Sequence, residues 1–108
     1  MRDAIAKRNK LVTVQTPTET TTSGETSLSW STLLREWAAI VPLTSREYSF
    51  ASQRNADVTH KIIMPYRPGI TSACRIVWNS RVFELAEPPR NIDEENHTLE
   101  FVVTEVVQ

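Results

Sequence analysis

The stretch "WSTLLREWAAIVPL", Trp30 to Leu43, carries two periods at once. Trp30, Leu33, Leu34, Trp37, Ala38 and Val41 fall at i, i+3, i+4, i+7, i+8 and i+11, a helical stripe. Trp37, Ala39 and Val41 also alternate as a strand does, and Pro42 ends either element. The pattern by itself favours a helix. Whether the chain is mixed or mainly β turns on this segment.

The segments around it are strand-like. Lys10 to Gln15 alternates, with Val12 and Val14 on one side, and reads as a first strand. "TPTETTTSGETSLS", residues 16–29, is rich in Thr and Ser and nearly free of apolar residues. It cannot bury itself and reads as a long exposed loop, either a contact loop or a merely tolerated one. Residues 1–9 form a polar N-terminal arm. Thr44-Ser45-Arg46-Glu47 is a capping box, predicting a helix from about Ser45 to Asn55 with a thin apolar face. From Val58 the pattern is β: His60, Ile62, Met64 and Tyr66 share a face, and Pro65 points to an edge or a bulge.

"RIVWNSRVFEL", Arg75 to Leu85, is a hairpin with Asn79-Ser80 as its turn. That turn sets Trp78 against Arg81, Val77 against Val82, Ile76 against Phe83 and Arg75 against Glu84. Cys74, Ile76, Trp78, Phe83 and Leu85 then share one face, and Trp78 can stack with Arg81. A polar connection with two prolines follows. "TLEFVVTEVV" supplies the last strand.

Composition restricts function. The chain has 108 residues, enough for one domain, a net charge of −1 and one cysteine, Cys74. A phosphate-gripping protein carries a basic excess that is missing here. A single cysteine excludes an intrachain disulfide. No apolar run reaches the ~20 residues that span a bilayer, and the N-terminal sequence lacks a secretory core, so we expect no membrane association and synthesis in the cytoplasm. His60 and His97 lie in strand patterns. There is no paired-cysteine spacing, no H-E-x-x-H and, with two glycines, no phosphate cradle. We therefore expect no enzyme activity, no metal site and no cofactor. Tyr66 with Arg67 and Trp78 with Arg81 are groupings that either stack single-stranded bases or anchor protein interfaces. Net charge favours the protein interface.

In order along the chain, Trp30 followed by "REWAAIVPLTSREYSFASQRNADVTHKI", then "YRPGIT", "RIVWNSRVFEL" and "NIDEENHTLEF" resemble the phage head–tail joining family, also called head-completion, head-closure or stopper proteins. Two positions depart from the family pattern. Asn79-Ser80 stands where Asn-Gly is usual, and Pro65 stands where Arg usually precedes the tyrosine. The resemblance implies a mainly β fold: a small antiparallel β-barrel of about six strands with a short helix or long loop inserted after the second strand. It turns the opening ambiguity toward β, with Arg35 to Val41 a strand, Trp30 to Leu34 a short turn before it, and residues 42–57 the insertion.

The implied role is a structural connector in the virion neck of a phage or of a phage-derived gene transfer particle. Subunits form a ring, dodecameric by resemblance, with the adaptor or portal ring above, a tail protein below and packaged double-stranded DNA passing through. Pro42, Leu43, Thr44, Ser45, Arg46, Glu47, Tyr48 and Arg54 are then candidates for a channel gate or lumen. Tyr66, Arg67, Trp78, Arg81, Thr20, Thr21 and Glu25 are candidates for subunit or partner contacts. The alternatives are a tail-completion protein and a small β-barrel binding single-stranded nucleic acid.

Overall fold

The computed structural model describes residues 8–43 and 58–106. Among the described residues, seven strands make one antiparallel sheet: β1 (Lys10–Thr22), β2 (Glu25–Pro42), β3 (His60–Pro65), β4 (Arg75–Trp78), β5 (Arg81–Leu85), β6 (Arg90–Asn91) and β7 (Thr98–Val106). Their order is β3-β2-β1-β4-β5-β7-β6, and β3 also pairs with β7. Six strands therefore close on themselves through a ring of hydrogen bonds, and β6 hangs from β7. The mainly β expectation holds, and the six closed strands match the expected number.

Alternation fills the interior. Val12, Val14, Ala38, Ile62, Met64, Cys74, Ile76, Phe83, Leu99, Phe101 and Val103 form one buried cluster. Phe83 and Phe101 are its largest fully buried members. Burying each contributes on the order of 1.5–3 kcal/mol. The β4–β5 hairpin has the expected register at all its pairs, Arg75↔Glu84 to Trp78↔Arg81. Asn79 and Ser80 have φ of 51° and 65°, the two left-handed residues of a type I′ turn.

The opening segment is extended throughout. β2 runs unbroken from Glu25 to Pro42, so Trp30 to Leu34 is strand rather than the expected turn. A bulge explains the false helical period. Val14 pairs with Leu34 and Gln15 with Thr32, which leaves Leu33 as an extra residue. Trp30, Leu33 and Trp37 thus lie on the outer face, while Leu34 and Ala38 point inward. Two strand faces joined across a bulge imitate one helix face.

Residues 16–29 are exposed from Thr18 onward, with Thr16 and Pro17 half-buried, but they are not a loop. They are the outer halves of β1 and β2, paired from Thr16↔Ser31 to Thr22↔Glu25 around a Ser23-Gly24 turn. Ser23 at φ 53° and Gly24 at φ 83° give the hairpin twist, and β-branched threonines suit extended backbone. Composition correctly indicated that nothing here is buried; self-pairing needed no burial. Pro65 sits at a local edge, as expected, since only β7 pairs with β3 at this position. It is the last residue of β3, beyond the final β2 pairing at Ile63, where no donor is needed on that side. The connection before β7 holds β6 and one 3-10 turn, Ile92–Glu94. The expected helix within 42–57 falls on residues 44–57, outside the described residues.

Candidate functional site

Strand direction sorts the candidate residues onto two ends of the closed sheet. At one end lie the start of β1, the end of β2, the start of β3, the end of β4, the start of β5 and the end of β7. Pro42 and Leu43 are here, and Leu43 N–H donates to the Thr59 carbonyl at 3.2 Å. The insertion therefore leaves and rejoins the sheet at this end. The opposite end carries the β1–β2 hairpin, which extends past the core and lengthens the molecule to 54 × 27 × 27 Å.

Trp78 and Arg81 close the first end. Trp78 packs on the core. Lys10 Nζ lies 5.6 Å from its ring centre and Arg81 Cζ 5.7 Å. Arg81 also lies 5.2 Å from the Phe83 ring and donates two hydrogen bonds to Glu105, both 2.9 Å. That fork lowers the Glu105 pKa and raises that of Arg81. The pair is 38% and 30% exposed, so its worth to stability is small. Thr59 Oγ1 accepts the Glu105 N–H at 2.9 Å and meets His60 Nδ1 at 2.8 Å. His60 sits edge-on to Phe83, with ring centres 5.4 Å apart. Burial pushes its pKa below 6.5; Glu105 opposes this and Arg81 adds to it.

Tyr66 and Arg67 belong to the other end. Tyr66 packs on the core, and its N–H donates to the His97 carbonyl at 3.0 Å. Arg67 Nη1 bonds Glu36 Oε1 at 2.6 Å. Neither guanidinium of the two basic–aromatic groupings is free of a carboxylate. Arg75 lies 4.1 Å over Trp30 and bonds Gln15 Oε1 at 2.7 Å. Beyond this stack runs the arm holding Thr20, Thr21 and Glu25. Its side chains sort by face. Thr16, Thr18, Thr20 and Thr22 stand opposite Ser31, Ser29, Ser27 and Glu25 in a hydroxyl-rich row. Ser27 and Ser29 donate across to the Thr20 and Thr18 carbonyls, both at 3.4 Å.

The outer face holds what residue-type reasoning missed. Leu28 is 56% exposed, Trp37 52%, Leu11 45% and Leu33 41%. Leu11 and Trp37 are cross-strand partners, and Trp30 lies between Leu28 and Leu33 on the same side. These five make an apolar stripe on the outside of the sheet. The signal was present as the helix-like period; the bulge hid which way it pointed. Of the gate candidates, only Pro42 and Leu43 are described. Thr44, Ser45, Arg46, Glu47, Tyr48 and Arg54 lie outside the described residues. Among the described residues, no group of three His, Cys, Asp or Glu could hold a metal ion, and no helix is long and apolar enough to cross a membrane.

A family model described as phage head completion protein matches residues 4–106. The chain belongs to the phage head completion protein family. Two solved structures share the fold. A protein of Shigella flexneri 2a, determined in solution, superposes with a TM-score of 0.82 at 24% identity, covering 97% of this chain and 98% of its own. A chain in the virion of a native gene transfer agent particle superposes at 0.62 with 17% identity, covering 93% of this chain and 96% of its own. No curated protein matches the sequence. The head completion family is one of structural virion proteins, and the chain is a virion component of that kind.

Proposed function

We propose that this head completion protein is a connector of the virion neck. Copies form a ring, dodecameric by resemblance, between the portal or adaptor ring and the tail. The ring closes the DNA-filled head and offers the tail its attachment site. The chain is made in the cytoplasm of the host bacterium as one domain spanning residues 1–108, and it works without enzymatic activity or cofactor. The observation that carries this reading is the family match, which runs nearly the length of the chain.

The two-ended geometry supports it. A connector meets different neighbours above and below, and here the insertion leaves one end while the hairpin arm leaves the other. In this reading residues 42–57 line or close the DNA channel. The exposed apolar stripe and the arm, with Thr20, Thr21 and Glu25, provide contacts to subunits or partners. Trp78 and Arg81 at one end, and Tyr66 and Arg67 at the other, brace those contacts.

Deleting the gene from the producing phage tests the role. DNA-filled heads that leak their genome and lack tails are expected, and tailed infectious particles would reject it. Cryo-EM of the neck separates a head-side ring from a tail-completion protein by position. Deletion of residues 45–55 tests the gate: loss of DNA retention in heads with normal rings is expected, and unchanged retention rejects it.

A further inference from the structure

The β1–β2 hairpin outruns the strands that flank it. β4 pairs with β1 only at Thr13, Val14 and Gln15, and β3 pairs with β2 only from Ala39 to Pro42. Among the described residues, the two strands pair only with each other from Thr16 to Ser31. A lone two-stranded ribbon is marginal in water, and its two open edges are templates for further pairing. Where β2 passes the core, its edge is capped: Glu36 Oε2 accepts the Trp37 N–H at 3.0 Å, and Arg67 lies on Glu36. The arm carries little of the usual edge protection. Residues 16–31 hold no lysine or arginine, two carboxylates (Glu19 and Glu25) and one proline, Pro17.

We propose that the arm is the joint between copies of this chain: the β1 edge of one arm pairs with the β2 edge of the next. β1 and β2 run antiparallel, so identical hairpins set side by side in one orientation continue the antiparallel ladder without a break. The two edges are different surfaces, which makes the contact head-to-tail, the type that closes rings. The faces also continue. Outer stripes of neighbouring copies, each with Leu28, Trp30, Leu33, Trp37 and Leu11, come alongside one another, and the hydroxyl rows merge on the other side. The inference rests on the ring reading above, and its test separates the two.

Thr20→Cys and Ser27→Cys proteins are prepared separately, mixed and oxidised. Thr20 and Ser27 face each other within one hairpin, so a chain with one arm cysteine beside the buried Cys74 cannot close this bond internally. Between aligned neighbouring arms the same two positions fall in adjacent strands. Two Thr20 positions are two strand spacings apart, about 10 Å, too far for a disulfide. The mixture is expected to cross-link at least tenfold faster than Glu84→Cys, an exposed control on β5, and neither arm variant is expected to cross-link alone. A second variant replaces residues 19–28 with Asn-Gly, and is expected to fold and to stay monomeric by native mass spectrometry. Cross-linking no faster than the control overturns the proposal. So does equal self-linking of Thr20→Cys, or rings of unchanged size from the shortened chain. Mixed cross-links between the full-length Thr20→Cys and Ser27→Cys arms in a chain that never closes rings uphold the joint and reject the ring reading.

Discussion

Ser80 occupies a backbone position that glycine fills without strain. Its φ of 65° follows from the two-residue turn, which needs left-handed geometry at Asn79 and Ser80 alike. Asn tolerates that geometry; a serine Cβ meets the following carbonyl at a cost of about 1 kcal/mol. Ser80→Gly is expected to raise the free energy of unfolding by about that amount, read from urea midpoints at unchanged slope. The departure from Asn-Gly was visible in the sequence, and so was the register on both sides, because side-chain alternation permits one arrangement of Ile76, Trp78, Phe83 and Leu85. His60 is a residue whose environment could not be read so. Alternation placed it on the inward face, but its contact with Phe83 and its burial depend on partners far along the chain. Its lowered pKa has a definite sign in stability. Below 6.5 the unfolded chain takes the proton before the folded one, so stability present at higher pH is lost as pH falls toward the lowered folded value. The paired Glu105 adds a loss of the same sign, but below 4.5. Thermal unfolding at pH 7.5 and 5.5 is expected to show a drop that His60→Phe abolishes; an equal drop in that variant would assign the effect elsewhere.

The β1–β2 hairpin shows how an element can be legible in composition and illegible in period. Its outer half was readable as exposed, since Thr, Ser and Glu dominate it, yet low apolar content says nothing against two polar strands pairing with each other. Its inner half was misread in the other direction. A bulge at Leu33 breaks the two-residue period, and the two faces of β2 then superimpose into a helical spacing. Only the resemblance of the whole ordered set of segments turned the reading toward a strand. The consequence for stability is direct. No residue from Thr18 to Ser29 is buried, so the arm contributes little to the core. Shortening it to an Asn-Gly turn is expected to change the free energy of unfolding by less than about 0.5 kcal/mol, the usual range for surface changes. By contrast, Phe101→Ala, in the fully buried cluster, is expected to cost about 3–5 kcal/mol. Comparable losses in both variants would mean that the arm folds as part of the core.

Across the whole molecule, the sequence ordered the candidate residues along the chain but not in space. Trp78, Arg81 and Pro42 lie at one end, while Tyr66, Arg67 and Thr20 lie toward the other, because antiparallel closure alternates strand direction around the sheet. That arrangement bears on nucleic acid. A chain that lets DNA slide past it must not hold phosphates tightly, since affinity grows with each phosphate neutralised. Net charge is −1, and the arginines best placed to act are already engaged: Arg67 with Glu36, Arg81 with Glu105 and Arg90 with Glu100. Tyr66 and Trp78 turn toward the core, so their ring faces are not free platforms for bases. The isolated protein is therefore expected to show no submicromolar binding to single- or double-stranded oligonucleotides at physiological salt, measured by fluorescence anisotropy. Lowering the salt is expected to strengthen whatever weak binding exists only slightly, because few phosphates are neutralised and few counterions released. A steep salt dependence with submicromolar affinity would instead make the small-barrel nucleic-acid reading the better account of this chain. Arg67→Ala and Arg81→Ala would then be expected to reduce that affinity, whereas a connector should lose only the local contacts these side chains make with Glu36 and Glu105.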